Sequence, residues 1–260
     1  MTLHETIRLI EAATPLRTQD DWDNSGWQIR QPDTEVTGIL LSLDVTEAVI
    51  DEAAALGCNL LITHHPLLFG KIRTIGDEDE TSVCIRKALQ HHLAVYSAHT
   101  TLDRMQGGVS WFLAGKLQLT DVKLLETAPD GLGYGVIGHW EQPRPLDDAL
   151  RTIRDTFAVQ VLRYHAPATP RPIQTVAVCS GSGAFLAGEA LRQGADLYLT
   201  GDLKHHDWRT GGERMTLVDM GHFESEQCTK EIFFNLLSKK IPNFAIHFAS
   251  QDKNPIQIFT

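Results

Sequence analysis

Residues 38–63 read GILLSLDVTEAVIDEAAALGCNLLIT, and this stretch decides the fold. Two apolar runs, 38–43 and 59–63, enclose a segment with helical periodicity. Val49, Ile50, Ala53 and Leu56 share one face of a helix over 46–56, and Gly57 is placed to stop it. Strand, helix, strand in so short a span is a βαβ unit, which predicts two parallel strands. Working outward, a helix near 81–92 leads into a third strand, LAVYSA, at 93–98. Upstream, Leu3, Ile7 and Ile10 line one face of a helix over 2–13, where Thr2 and Glu5 form a capping box. The segment WDNSGW, 22–27, reads as a turn-rich loop.

The second half repeats the pattern. Residues 38–63 lie over 175–200 without a gap, at an offset of 137. Glu52/Glu189, Ala53/Ala190, Gly57/Gly194, Leu60/Leu197 and Thr63/Thr200 are then identical. A second offset, 123, sets LAVYSAHTTLD over TLVDMGHFESE, so that His99 falls on His222 and Asp103 on Glu226. The expected fold is therefore α/β, with two similar α/β/α domains arising by internal duplication, at 1–125 and 126–260. The region between the repeats holds a Gly-rich strand, GLGYGVIGHW, a helix from about Pro145, a strand VQVLRY and a linker APATPRP. The C-terminal strand NFAIHF is free to pair back onto the first domain.

Composition bounds the function. The 260-residue chain is 42% hydrophobic and 22% charged, enough for a packed core. A formal net charge of −10 argues against a basic nucleic-acid-binding face. The four cysteines, Cys58, Cys84, Cys179 and Cys228, form no C-x-x-C pair, which argues against a thiolate zinc site and suits a reducing cytoplasm. The N-terminal segment lacks the apolar core of a signal peptide, and no run reaches the length of a membrane span.

Ligand sites in such sheets lie beyond the C-terminal strand ends. The strand at 59–63 runs into His64, His65 and Pro66, and His99 follows the strand at 93–98. Each half thus ends a strand in His-x-x-x-carboxylate: His99 to Asp103, and His222 to Glu226. Imidazole with carboxylate is the ligand set of iron, zinc, manganese or nickel. Two such cations roughly 3.5–4 Å apart activate a water and polarise a substrate oxygen. Bland readings stand beside this one. His91–His92 and His205–His206 are further His pairs, and His222 with Glu226 also reads as a helix start. The turn SGSG, 180–183, is either a tight turn or an anion cradle. Trp22, Trp27 and Phe69 either stack a planar ligand or fill the core. Thr63, Thr200, Asp202 and His205 are candidates to line the site.

LLITHHPLLF, HTTLD and GHFESE together resemble the Nif-three-like family of dinuclear-metal-centre proteins, which carry the label GTP cyclohydrolase 1 type 2 homologue. WDNSGWQI and TGDLKHHD look like segments of the same family. The resemblance runs from about Leu3 to Pro255 and matches the short form without an inserted domain. It implies two α/β domains flanking a central metal-binding cleft, and a ring-shaped homohexamer. It also implies two divalent metal ions per chain on His64, His65, Asp103, His222 and Glu226, with Glu226 as the bridge. Thr101 stands where many relatives have Asn, a position that is not a ligand. His99 is left to orient Asp103 or to act as general acid or base, with His205 as a second proton carrier. The leading expectation is a metal-dependent hydrolase acting on a nucleotide or other small phosphorylated substrate, with cyclohydrolase chemistry a narrower version. The alternative is a non-catalytic regulatory, metal-carrier or scaffold protein engaging a protein or nucleic-acid partner.

Overall fold

In the computed structural model, which describes residues 1–241 and 244–259, the chain forms two units. One is Met1–Leu102 with Thr229–Thr260, and the other is Asp103–Cys228. The position near 125 expected to divide the chain lies inside the second unit.

The first unit carries α1 (Leu3–Glu11), β1 (Gly26–Ile29), β2 (Ile39–Ser42), α2 (Glu47–Ala55), β3 (Leu60–Thr63), α3 (Glu80–Gln90) and β4 (Ala94–Ser97). It closes with most of α4 (Thr100–Asp103), then regains the chain as α9 (Thr229–Ser238) and β11 (Ile246–Phe248). Its sheet runs β1-β4-β3-β2-β11. The strands β2, β3 and β4 are parallel, as their helical crossovers require. Every residue of β2, β3 and β4 is buried, which explains their continuous rather than alternating apolar pattern. β1 closes one edge antiparallel to β4, and β11 adds parallel to β2 on the other. Pairing of the C-terminal segment with the first unit matches the expectation for NFAIHF, although its Asn243 lies outside the described residues.

Local signals behave as their chemistry demands. Thr2 Oγ1 accepts from the Glu5 N–H, and Glu5 Oε2 accepts from the Thr2 N–H, closing the capping box of α1. Thr46 caps α2, and Gly57, at φ +69°, turns the chain out of it.

The second unit carries α5 (Val109–Lys116), β5 (Thr120–Leu124), β6 (Val136–Arg144), α6 (Leu146–Phe157), β7 (Arg163–His165), β8 (Ile173–Val178), α7 (Ala187–Arg192), β9 (Leu197–Thr200), β10 (Thr216–Asp219) and α8 (His222–Glu226). Its sheet runs β5-β6-β8-β9-β10-β7. The core lies on both faces. Val176, Val178, Leu197 and Leu199 pack with Trp140 and Ile153 on one side, while Ala177, Tyr198 and Leu217 pack with Leu186 and Met215 on the other. The strand expected at 159–164 is a shorter β7, shifted toward His165. Among the described residues, no helix is long and apolar enough to cross a membrane.

Strand registers bear on the repeat. Ile39 pairs with Leu60 and Leu41 with Ile62; Val176 pairs with Leu197 and Val178 with Leu199. The register is the same at the offset of 137. For the third strand, Thr63 pairs with Ser97 whereas Thr200 pairs with Asp219. One residue separates Ser97 from His99, but two separate Asp219 from His222. One extra residue, absorbed near Gly221 at φ +93°, therefore separates the two halves in this stretch.

Candidate metal centre

In the first unit, three adjacent parallel strands end in polar residues. β2 leads to Asp44, β3 to His64 and His65, and β4 to His99. The histidine turn is held by hydroxyls. Thr63 Oγ1 and Ser97 Oγ lie 2.7 Å apart, and each is within hydrogen-bond reach of the His65 carbonyl, at 2.9 and 3.1 Å. The His65 N–H donates to the Leu43 carbonyl. Side chains usually alternate along a strand; here the chain turns immediately after it, and both rings face the same way.

Each ring is anchored through Nδ1. His64 Nδ1 lies 3.0 Å from the Ala98 carbonyl, His65 Nδ1 2.7 Å from Asp44 Oδ1, and His99 Nδ1 2.8 Å from Asp23 Oδ1. A carbonyl or carboxylate oxygen only accepts, so each Nδ1 carries the proton and each Nε2 keeps its lone pair. That is the tautomer a cation needs, and the carboxylate behind the ring raises its basicity. One ligand atom from each of His64, His65 and His99 lies within 4.8 Å of the others. His99, expected to be an orienting or proton-transfer residue, thus sits among the candidate ligands.

Asp23 is the most heavily engaged of the anchors. Its side chain is fully buried. Oδ2 accepts from Ser25 Oγ at 2.7 Å, the Thr100 N–H at 3.1 Å and Thr100 Oγ1 at 2.6 Å. Burial pushes its carboxyl up, but the hydrogen bonds from His99, Thr100 and Ser25 outweigh it and hold the group well below the usual carboxylate range.

The second unit supplies carboxylates. Asp103 ends α4, while His222 and Glu226 begin and end α8, so their four-residue spacing puts them one turn apart. His222 Nδ1 lies 2.7 Å from Asp202 Oδ2, and His222 Nε2 lies 2.8 Å from Glu226 Oε2. Asp202 is held below its ordinary range: burial opposes this, and hydrogen bonds from His222 and Ser182 prevail. Glu226 is only 4% exposed. A carboxylate oxygen of Asp103 and one of Glu226 lie within 4.8 Å of each other. Two carboxylates so close call for a proton or a cation to neutralise them. Their charges, after burial itself, help push the Cys179 thiol up to about 12.

The SGSG turn is built around Glu226. A Cβ on Gly181, which adopts φ +59°, would stand 2.1 Å from Glu226 Oε1. Three of the four amide donors of the turn are already used: Ser180 donates to Ser110 Oγ, Gly181 to Ser225 Oγ and Gly183 to Thr200 Oγ1. It is a tight turn rather than an anion cradle. Ser225 Oγ also donates to the His222 carbonyl, fixing the turn and α8 together. His205 stands exposed in the loop after Asp202, edge-on to His206 at 5.1 Å. It is not among the clustered ligand atoms of the described residues. Trp27 is half-buried against Tyr96, whereas Trp22 and Phe69 are exposed.

Imidazole and carboxylate donors, with anchors behind the rings and no thiolate, define an α/β protein whose buried groups fit a divalent cation. The sequence matches the family described as Duf34/NIF3 (NGG1p interacting factor 3) over residues 1–255, and the chain belongs to that family. It is 33% identical over 231 residues to a Clostridium perfringens protein named GTP cyclohydrolase 1 type 2 homolog, covering 87% of each chain. It is 30% identical over 262 residues to NIF3-like protein 1 of Drosophila melanogaster, covering 98% of this chain and 88% of the relative. The fold matches a crystal structure of a Bacillus cereus protein related to NIF3, with a TM-score of 0.91 at 22% identity, over 100% of this chain and 99% of the other.

Sequence reasoning passed over Asp23 and Asp44. The signal for Asp23 was WDNSGW, a polar turn whose carboxylate had no evident local task. For Asp44, it was a carboxylate at the C-terminal end of an apolar strand.

Proposed function

We propose that the chain is a dinuclear metal-dependent hydrolase acting on a nucleotide or another small phosphorylated molecule. In this reading His64, His65, Asp103, His222 and Glu226 hold two divalent cations, with Glu226 as the bridge. When bound, such cations supply Lewis acidity and a nucleophile at neutral pH. The protein's own contribution is to fix the ligands. Asp44 and Asp202 hold His65 and His222 in one tautomer, and Gly181 leaves room for the Glu226 carboxylate. His99, oriented by Asp23, carries the proton, while exposed His205 is second to it for that role.

The observation that carries the reading is the Nδ1 anchoring of His65, a proposed ligand, by Asp44 and of His99, the proposed proton carrier, by Asp23, which puts the proton of both rings on Nδ1. The name shared by the bacterial relatives points to nucleotide hydrolysis. The description of the family as an interacting factor favours the second reading: a non-catalytic metal-binding regulator, carrier or scaffold engaging a protein or nucleic-acid partner. Four free cysteines suit a reducing cytoplasm, and the family resemblance suits a hexameric ring.

A hydrolysis screen separates the readings. Protein reconstituted with iron, zinc, manganese or nickel is offered nucleoside mono- and triphosphates and simple phosphoesters. Turnover lost in His99→Ala, with metal content kept, supports the hydrolase. Full metal loading without turnover on any substrate supports the regulator.

A further inference from the structure

One feature of the first unit lies beyond the ligands themselves. Trp22 and Phe69 are 61% and 58% exposed, although a folded chain gains by burying such rings. Their centroids are 5.9 Å apart at a tilt of 46°. Each also meets His99 edge-on at 5.7 Å. His99 is therefore a direct neighbour of both exposed rings and of the His64–His65 pair.

The two loops that carry the rings are tied together by buried or local polar groups. Asn24 Nδ2 donates to the Leu68 carbonyl at 2.7 Å, and the Leu68 N–H donates to Gln28 Oε1 at 3.0 Å. Gln28 is itself buried and donates to the Asn24 carbonyl at 2.7 Å. The rings are thus positioned before any ligand arrives, which lowers the ordering cost of binding. Beyond Phe69 a cavity of about 430 Å³ is lined by Lys71, Arg73 and Ser82 among others. Asp79 in its wall is committed to capping α3, accepting from the Ser82 N–H and hydroxyl.

We propose that Trp22 and Phe69 form a stacking platform for the planar base of a nucleotide, with Lys71 and Arg73 receiving its phosphate. Aromatic faces accept any base, and ammonium and guanidinium groups pair with phosphate oxygens. The edge contacts then place the bound base beside His99. The proposal rests on the hydrolase reading and names its substrate class.

The test is equilibrium binding to metal-loaded, full-length protein of AMP, GMP, CMP and UMP, with ribose 5-phosphate as the base-free probe. At least one nucleotide binds more tightly than ribose 5-phosphate. Trp22→Ala with Phe69→Ala weakens that nucleotide by roughly 10- to 100-fold, in line with the loss of base stacking. The double variant leaves ribose 5-phosphate affinity and metal content unchanged, and Trp22→Phe with Phe69→Tyr restores nucleotide binding. Lys71→Ala with Arg73→Ala weakens all the probes. Equal binding of nucleotides and ribose 5-phosphate by the parent overturns the platform. So does a double variant that keeps nucleotide affinity, including one that changes only its oligomeric state. Metal content is read on the same samples: its absence in the parent defeats the underlying hydrolase reading, whereas its presence with failed stacking defeats the platform alone.

Discussion

Replacing Asp23 by Asn removes one charge and changes almost no volume, yet it should disturb both stability and turnover. Oδ1 faces His99 Nδ1 and the Asn24 N–H, and Oδ2 faces Ser25 Oγ, Thr100 Oγ1 and the Thr100 N–H. An amide has one accepting oxygen. If that oxygen faces Thr100, the NH₂ group faces His99 and drives its ring to the other tautomer, with the proton on Nε2. If the oxygen faces His99, the NH₂ group meets the Thr100 N–H, which has no freedom to turn away. A buried donor left without an acceptor costs about 1–3 kcal/mol, and loss of the group that orients a proton-carrying ring lowers turnover by roughly 100-fold or more. The expected result is a urea unfolding free energy lower by about 2 kcal/mol and slower turnover of whichever substrate the hydrolysis screen finds, with metal content kept. A pH series gives a second check. The carboxyl of Asp23 is held below its unfolded value, so its stabilisation is present above the unfolded carboxylate pKa and is lost as pH falls toward the folded one. The parent therefore loses stability on acidification more steeply than Asp23→Asn does. An Asp23→Asn protein with parental stability, acid sensitivity and turnover would refute the anchoring argument.

Other perturbations probe other joints. Gly181→Ala puts a Cβ against Glu226 Oε1 and forces a side chain into left-handed backbone, so it should destabilise by at least about 1 kcal/mol and lower metal content in elemental analysis. Asp252 accepts from the Leu43 N–H at 2.8 Å and from Lys230 Nζ at 2.6 Å, with both partners in the first unit. Asp252→Ala should cost about 3 kcal/mol in urea unfolding without changing metal content. Burial pushes the Cys84 and Cys179 thiols up to about 12, so both should resist iodoacetamide at pH 8 in folded protein and react once it is unfolded in urea.

Much of the fold was legible because its central strands are buried on both faces. Such strands read as unbroken apolar runs, and β2, β3, β4 and β9 fall within a residue or so of their expected ends. β7 was displaced because VQVLRY has strand propensity, whereas the chain pairs with β10 only from Arg163. The alignment of His99 with His222 set two strand-end histidines over each other, but it misaligned the preceding strands by one residue. That extra residue sits near Gly221, whose left-handed backbone is not visible as an insertion in an ungapped comparison. The histidines and carboxylates were visible as spacing at strand ends. Their anchors were not, because Asp23 lies 76 residues from His99 and Asp44 lies 21 from His65. No periodicity joins such pairs; only the sheet order, with β1 beside β4 and β3 beside β2, brings Asp23 to His99 and Asp44 to His65.

The central claim, a proposal, is that histidines and carboxylates of this chain hold two metal ions with Glu226 as the bridge. Its most direct test is metal content per chain, by elemental analysis, of parent and Glu226→Gln proteins purified without chelator and without nickel affinity media. The account predicts about two divalent ions in the parent, as a two-metal site requires, and loss of both in Glu226→Gln. A parent that takes up no metal even after reconstitution, or a Glu226→Gln protein that retains both ions, would contradict it.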